Sequence, residues 1–159
     1  MDDLSIRVNS AEETQAFAEA LGKVLRGGEV LALEGELGAG KTCFVQGLAR
    51  GLGVPSSVYV CSPTYTLHDS YVGEKTLHHL DLYRLGDADE LEEIGWRDYL
   101  DGQAIVAIEW ANQLDDYLPP DFIEIRINII SVEGRSFSFR IEGEELRWLE
   151  QWLRRYPQD

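Results

Sequence analysis

Cysteine is scarce: only Cys43 and Cys61 occur in 159 residues. That excludes a disulfide framework and points to a reducing compartment, with the cytoplasm the simplest home. No apolar run reaches the ~18 residues that a membrane-spanning helix requires. The first residues, MDDLSIRVNS, lack both the basic start and the apolar core of a secretory signal. Basic residues are also few. Lys and Arg number 14 against 29 Asp and Glu, for a net charge of −15. Such a surface repels phosphate backbones, and no basic stripe of the kind that marks a stand-alone nucleic-acid binder is visible. The small cluster Arg154-Arg155 suits a helix C-terminus. Any nucleic acid that this chain serves is therefore expected to be held by another protein. Repeats and low-complexity segments are absent as well. Length and ordinary composition together predict one domain over 1–159, large enough for a real core.

What is present alternates between strand and helix patterns. LSIRV reads as a short strand. SAEETQAFAEALGKVLRGG reads as a helix, with Ser10 as N-cap, Glu13 completing a capping box and Gly27-Gly28 as its end. EVLALEG is a buried strand, and KTCFVQGLARGLG is a helix stopped near Gly51 or Gly53. YTLHDSY and KTLHHLDLYR form a hairpin across VGE. DADELEEIGWRDYL is helical, with Asp87 or Asp89 near its start. QAIVAIEW is a continuous apolar run that ends in an acid, as a central strand would. Pro119-Pro120 marks a loop, FIEIRINII and SFSFRIEG are two late strands, and EELRWLEQWLRRY is a closing amphipathic helix. Early βα alternation followed by hairpins predicts an α/β sandwich with a central mixed sheet.

Glycine is concentrated at one point. Gly35-Glu36-Leu37-Gly38-Ala39-Gly40-Lys41-Thr42 fits G-x-x-x-x-G-K-[ST] in full. Glycine is entropically costly in ordered structure, so something there needs bare backbone. Each part has a chemical reason. Glycines let several N–H groups wrap close to phosphates. A helix beginning near Lys41 aims its positive end at the anion. Lys41 reaches the β- and γ-phosphates, and the Thr42 hydroxyl suits Mg²⁺, which keeps most of its waters. The loop sits between a predicted strand and a predicted helix, as this mechanism requires.

Three further segments offer chemistry. Glu109 ends the central strand, where proteins with such loops hold Mg²⁺ or its water, although Asp is the more usual acid. The plainer alternative is a surface acid at a strand end. Trp110 beside it either shields the site or packs on neighbouring chain. In HHLDLYRL, alternation puts His79, Asp81 and Tyr83 on one face. Asp81 is thus either solvated or aimed into a site, where it would touch the metal shell or orient an attacking water. Zinc is rejected, because the adjacent His78 and His79 point to opposite faces and no cysteine pair completes a set with His68. Ser62-Pro63-Thr64-Tyr65-Thr66 is either an ordinary turn or a hydroxyl-bearing loop that senses the γ-phosphate.

Taken together, GELGAGKT, SPTYTL, HHLDLYRL, ELEEIGWRDYL, IEW and the late EGR resemble the TsaE (YjeE) family of small bacterial P-loop ATPases, over Glu34 to Arg135. The resemblance implies a three-layer P-loop fold, ATP and Mg²⁺ as ligands, and slow ATP hydrolysis. It implies docking on a complex of TsaB and TsaD, in which TsaD transfers the threonylcarbamoyl group to adenosine 37 of tRNAs reading ANN codons, with hydrolysis resetting that complex. By motif, Leu37, Gly38, Ala39, Gly40, Lys41 and Thr42 would cradle phosphates, and Thr42 with Glu109 would hold Mg²⁺. Asp81, Glu109 and Lys41 would be catalytic, and Trp110 matches the family tryptophan. Gly134, Arg135 and Ala11 would lie on the adenine side. One departure is Cys43, where many members carry Thr or Ser. It is either a thiol activated by helix amides or a small packed residue. The rival readings are a small-molecule kinase, though Arg84, Arg97 and Arg135 form no arginine-rich lid, and a nucleotide-dependent binding module with negligible turnover.

Overall fold

Ser10 sits in extended backbone and its hydroxyl accepts from the Glu13 N–H at 3.1 Å. The Glu13 carboxylate reaches back past the N-cap to the Asn9 N–H, a variant of the expected capping box that starts α1 (Ala11–Val24) directly after β1 (Leu4–Val8). The computed structural model describes residues 4–114 and 118–158. Next come β2 (Val30–Glu34), α2 (Lys41–Gly51), β3 (His68–Tyr71), β4 (Leu77–Asp81), α3 (Ala88–Ile94), β5 (Ile105–Glu109), β6 (Phe122–Ile129), β7 (Arg135–Glu142) and α4 (Arg147–Arg155).

The strands join into one seven-stranded sheet in the order β1-β7-β6-β2-β5-β4-β3. β2 pairs in parallel with both β5 and β6, and β4 pairs in parallel with β5. The hairpins β3–β4 and β6–β7, and the pair β1–β7, are antiparallel. β2 is apolar on both faces because both are covered. Leu31 and Leu33 pack with Phe17, Leu21, Phe44, Leu48, Leu149 and Leu153 of α1, α2 and α4. Val30 and Ala32 pack with Leu91 and Trp96 on the opposite side. The result is the expected three-layer sandwich.

Phe17 is the hub of the larger layer. Its ring lies 5.5 Å from Phe137 and 4.9 Å, edge-on, from Tyr156. The helices α1 and α2 touch backbone to backbone through glycine. A Cβ on Gly47 would fall 2.4 Å from the Gln15 carbonyl oxygen, and one on Gly51 would fall 2.2 Å from that of Glu19.

Three of the boundaries that differ from the sequence reading have a visible cause. α1 stops at Val24, before Gly27-Gly28, because the buried Glu29 carboxylate takes the N–H groups of Arg26 (2.8 Å) and Gly27 (2.7 Å) out of any helical ladder. The helix read over DADELEEIGWRDYL breaks at Gly95, which is left-handed (φ 71), and resumes as a 3₁₀ turn over Trp96–Tyr99 that buries Trp96. Its N-cap is Asp87, which accepts from the Asp89 N–H. β3 begins at His68 rather than Tyr65, since Leu67 adopts φ 70 and closes a turn onto the Pro63 carbonyl at 2.8 Å.

Candidate active site

The parallel strands β2, β4 and β5 deliver their C-terminal ends to one edge of the sheet, where open α/β sheets build ligand sites. The glycine loop leaves β2 there. Gly38 (φ 83) and Gly40 (φ 107) are left-handed, and a Cβ on either would meet no protein atom within 4 Å. Their requirement is therefore conformational, together with open space on the loop's inner side. Gly35 is different, because a Cβ there would lie 2.8 Å from the Ile127 carbonyl oxygen of β6.

Lys41 opens α2 and is buried. Its Nζ donates to the carbonyls of Gly35 (2.6 Å) and Glu36 (3.1 Å) and sits 4.0 Å from the Trp110 ring centroid. Burial pushes its pKa below the ordinary lysine value, and the charges of Glu109 and Asp81 partly oppose that shift. Trp110 holds φ 61, anchored by its N–H on the Leu33 carbonyl at 3.1 Å, and its ring lies 5.0 Å from that of Tyr83. That backbone kink turns the indole over the lysine.

Asp81 and Glu109 are direct register partners on β4 and β5, and each is only 3% exposed. Both acids are thus aimed into the protein edge rather than solvated. The Thr42 hydroxyl lies 3.3 Å and 3.5 Å from the two Glu109 carboxylate oxygens. Asp81 Oδ2 accepts from the hydroxyls of Ser62 and Thr64, the latter at 3.0 Å, and Oδ1 accepts from the Tyr83 N–H at 3.0 Å. SPTYTL closes a turn, and two of its hydroxyls, those of Ser62 and Thr64, hold the β4 acid. His79 Nε2 meets Glu109 Oε2 at 2.5 Å.

Leu37, Gly38, Gly40, Lys41, Thr42, Asp81, Glu109 and Trp110 line one cleft of about 300 Å³, together with Cys43, Ser62, Thr64 and Tyr83. Ala39 is fully buried behind the loop. Arg135 lies on that rear side: its Nε donates to the Ala39 carbonyl (2.8 Å) and Nη1 to those of Gly134 (2.8 Å) and Ser131 (3.1 Å). Gly134 is buried in the same turn, with its N–H on the Ser131 hydroxyl. Ala11 borders the cleft indirectly, its carbonyl 3.6 Å from Cys43 Sγ. The thiol is not activated by the helix amides, for burial raises its pKa. The other histidines stand apart from the cleft. His68 and His78 pair at 3.0 Å on the opposite face, stacked on Tyr99.

These residues fit a magnesium nucleotide. A hydroxyl and a carboxylate are the hard oxygen donors that Mg²⁺ takes, and a cation that keeps several waters needs few protein ligands. Two buried carboxylates side by side, with Lys41 as the cation that acts on both, leave an excess negative charge that favours a divalent ion. Gly38 and Gly40 leave room for phosphates against backbone N–H groups at the head of α2. The sequence reading missed the roles of Ser62, Thr64 and His79. His79 was in phase with Asp81, and that shared face was the available signal.

Comparison with known proteins agrees with this architecture. The family profile described as "Threonylcarbamoyl adenosine biosynthesis protein TsaE" matches residues 8–137. The tRNA threonylcarbamoyladenosine biosynthesis protein TsaE of Bacillus subtilis is 37% identical over 157 residues, covering 98% of this chain and 97% of that protein. Its Treponema pallidum counterpart is 36% identical, covering 81% and 94% of the two chains. The crystal structure of Bacillus subtilis YdiB superposes with a TM-score of 0.79 at 32% identity, covering 98% of this chain and 96% of that one. The chain belongs to the TsaE family, which acts in tRNA threonylcarbamoyladenosine biosynthesis.

Proposed function

We propose that this chain is a Mg²⁺-dependent ATPase that serves a TsaB–TsaD complex as an accessory factor, hydrolysing ATP slowly to reset that complex between turnovers. The transfer of the threonylcarbamoyl group to adenosine 37 of tRNAs reading ANN codons belongs to the partners. One observation carries the reading: Lys41, Thr42, Asp81 and Glu109, from three separate elements, converge on a single cleft at the glycine loop.

In this reading the loop amides and Lys41 bind the phosphates, and Thr42 with Glu109 holds the cation. Bound Mg²⁺ supplies Lewis-acid neutralisation of charge on the transferring phosphoryl oxygens. Asp81, fixed by Ser62, Thr64 and the Tyr83 N–H, orients a water and accepts its proton. That water's oxygen bonds to the γ-phosphorus while the bond to the β-phosphate oxygen breaks, giving ADP and inorganic phosphate. Trp110 and Tyr83 wall the lysine side and limit its contact with bulk water.

The net charge of −15 fits a factor that leaves tRNA to basic partners. Among the described residues no helix is long and apolar enough to cross a membrane, and with two free cysteines a cytoplasmic setting fits. A kinase reading is less well supported. Arg84 stacks on Tyr65, Arg97 pairs with Glu92 and Arg135 holds Ala39, so none forms a phosphate-closing lid. The test is reconstitution with TsaB- and TsaD-type partners, tRNA and threonylcarbamoyl donor. Repeated rounds of modification that depend on this chain and on Asp81 are expected. Undiminished multi-turnover synthesis without it would overturn the proposal.

A further inference from the structure

A glutamate at the metal-facing strand end is one carbon longer than the aspartate more usual there, and it has one more torsion to fix. The structure shows what fixes it. His79 stands on β4 opposite Ala107 of β5, two residues before the Asp81–Glu109 pair and on the same face of the sheet. Its ring is 0% exposed, and Nε2 lies 2.5 Å from Glu109 Oε2. Thr42 approaches the same carboxylate from α2, at 3.3 Å from Oε2 and 3.5 Å from Oε1. Oε2 is thus tied to the histidine, Oε1 is not, and the threonine hydroxyl faces the carboxylate as a whole.

The remaining nitrogen decides the tautomer. His79 Nδ1 is buried and has no hydrogen-bond partner among the described residues. A neutral imidazole carries one N–H, and placing it on Nδ1 would leave a buried donor unpaired while Nε2 met the acceptor-only carboxylate with a bare lone pair. The proton therefore sits on Nε2 and donates to Glu109. Ring and acid form a carboxylate–histidine pair of the kind that orients ligands around metals from outside the coordination sphere.

We infer that His79 is a positioning residue for the cation: by holding Oε2 it fixes the Glu109 carboxylate face-on to the Thr42 hydroxyl and leaves Oε1 free of the histidine, without itself touching nucleotide or metal. This inference rests on the proposed Mg²⁺-nucleotide reading of the cleft. It predicts a specific deficit. Losing the histidine contact should weaken the Mg²⁺-dependent part of nucleotide affinity and spare the Mg²⁺-free part, because the loop and Lys41 are untouched.

The experiment is calorimetric titration of the full chain with ADP, in Mg²⁺ and in EDTA, for wild type, His79→Leu and His79→Gln. The ratio of affinities with and without Mg²⁺ should fall about tenfold or more in His79→Leu. It should stay close to wild type in His79→Gln, whose amide N–H reaches to a similar point. An unchanged ratio in His79→Leu, against a wild type that shows one, would overturn this inference alone, and so would an equal loss of both affinities. No Mg²⁺ effect in wild type would overturn the reading of the cleft and this inference with it. A measurement free of any variant guards against misfolding of the leucine form. Nitrogen-15 NMR of histidine-labelled wild type should show one ring fixed as the Nε2–H tautomer, and an Nδ1–H or averaging ring at position 79 would overturn the inference.

Discussion

Individual side chains in the cleft divide between those proposed to face phosphates and those that hold other side chains still. Lys41 rests on the Gly35 and Glu36 carbonyls and on Trp110, so its charge is pre-positioned at the mouth of the loop. Asp81 is held at both oxygens, which suits a group that must aim a water rather than move with it. Asp81→Ala is therefore expected to keep nucleotide affinity and to lose phosphate release by about a hundredfold or more. Paired binding and steady-state phosphate assays check this, and a variant that hydrolyses at the wild-type rate would assign the base elsewhere. The placement of Lys41 and Thr42 at the head of α2 and in the cleft was legible from the motif alone, because loop spacing encodes it. The partners of Asp81 and Glu109 were not. They come from Ser62, Thr64 and His79, and neither hydroxyl pairing nor a diagonal cross-strand contact leaves a fixed spacing in sequence.

Elements carry two further consequences. α1 and α2 meet at Gly47 and Gly51 closely enough that a methyl group collides with the facing backbone. On an isolated helix, Gly→Ala would stabilise by about 1 kcal/mol. Here overpacking, typically about 1–3 kcal/mol, opposes and exceeds that gain. Gly51→Ala should lower stability to urea, and an increase would show that the helices part at no expense. The second consequence concerns the β3–β4 hairpin. Burial depresses the pKa values of both His68 and His78, which stack on Tyr99. A histidine with a depressed folded pKa binds fewer protons folded than unfolded. Its contribution is complete above the ordinary imidazole value of about 6.5 and is lost as pH falls through the folded value. Thermal melts from pH 7.5 down to pH 5 should thus fall more steeply in wild type than in His68→Gln/His78→Gln, and parallel curves would contradict it. Element order and type were readable from periodicity and caps. The misplaced ends of α1 and α3 were not, since Glu29 and the buried Trp96 override the local signal through tertiary contacts.

At the scale of the whole molecule, the fold is a frame that brings strand ends to one edge. β2 lies between two parallel neighbours and is buried on both faces, so the loop that follows it is anchored on a rigid base. Arg135 ties that loop to the β6–β7 turn, and Trp110 ties the β5 end back to β2. The mixed sheet followed from the alternation of strands and helices in sequence. The strand order did not, because a pattern of elements fixes no neighbours beyond its hairpins. In the proposed reading, the net charge of −15 suits a factor whose partners hold the tRNA. The most direct test of the account is calorimetric titration of the well-folded chain with ATP in the presence and absence of Mg²⁺. The account predicts saturable one-site binding that Mg²⁺ strengthens and that Lys41→Ala abolishes. Binding that is absent, or indifferent to both Mg²⁺ and Lys41, would contradict it.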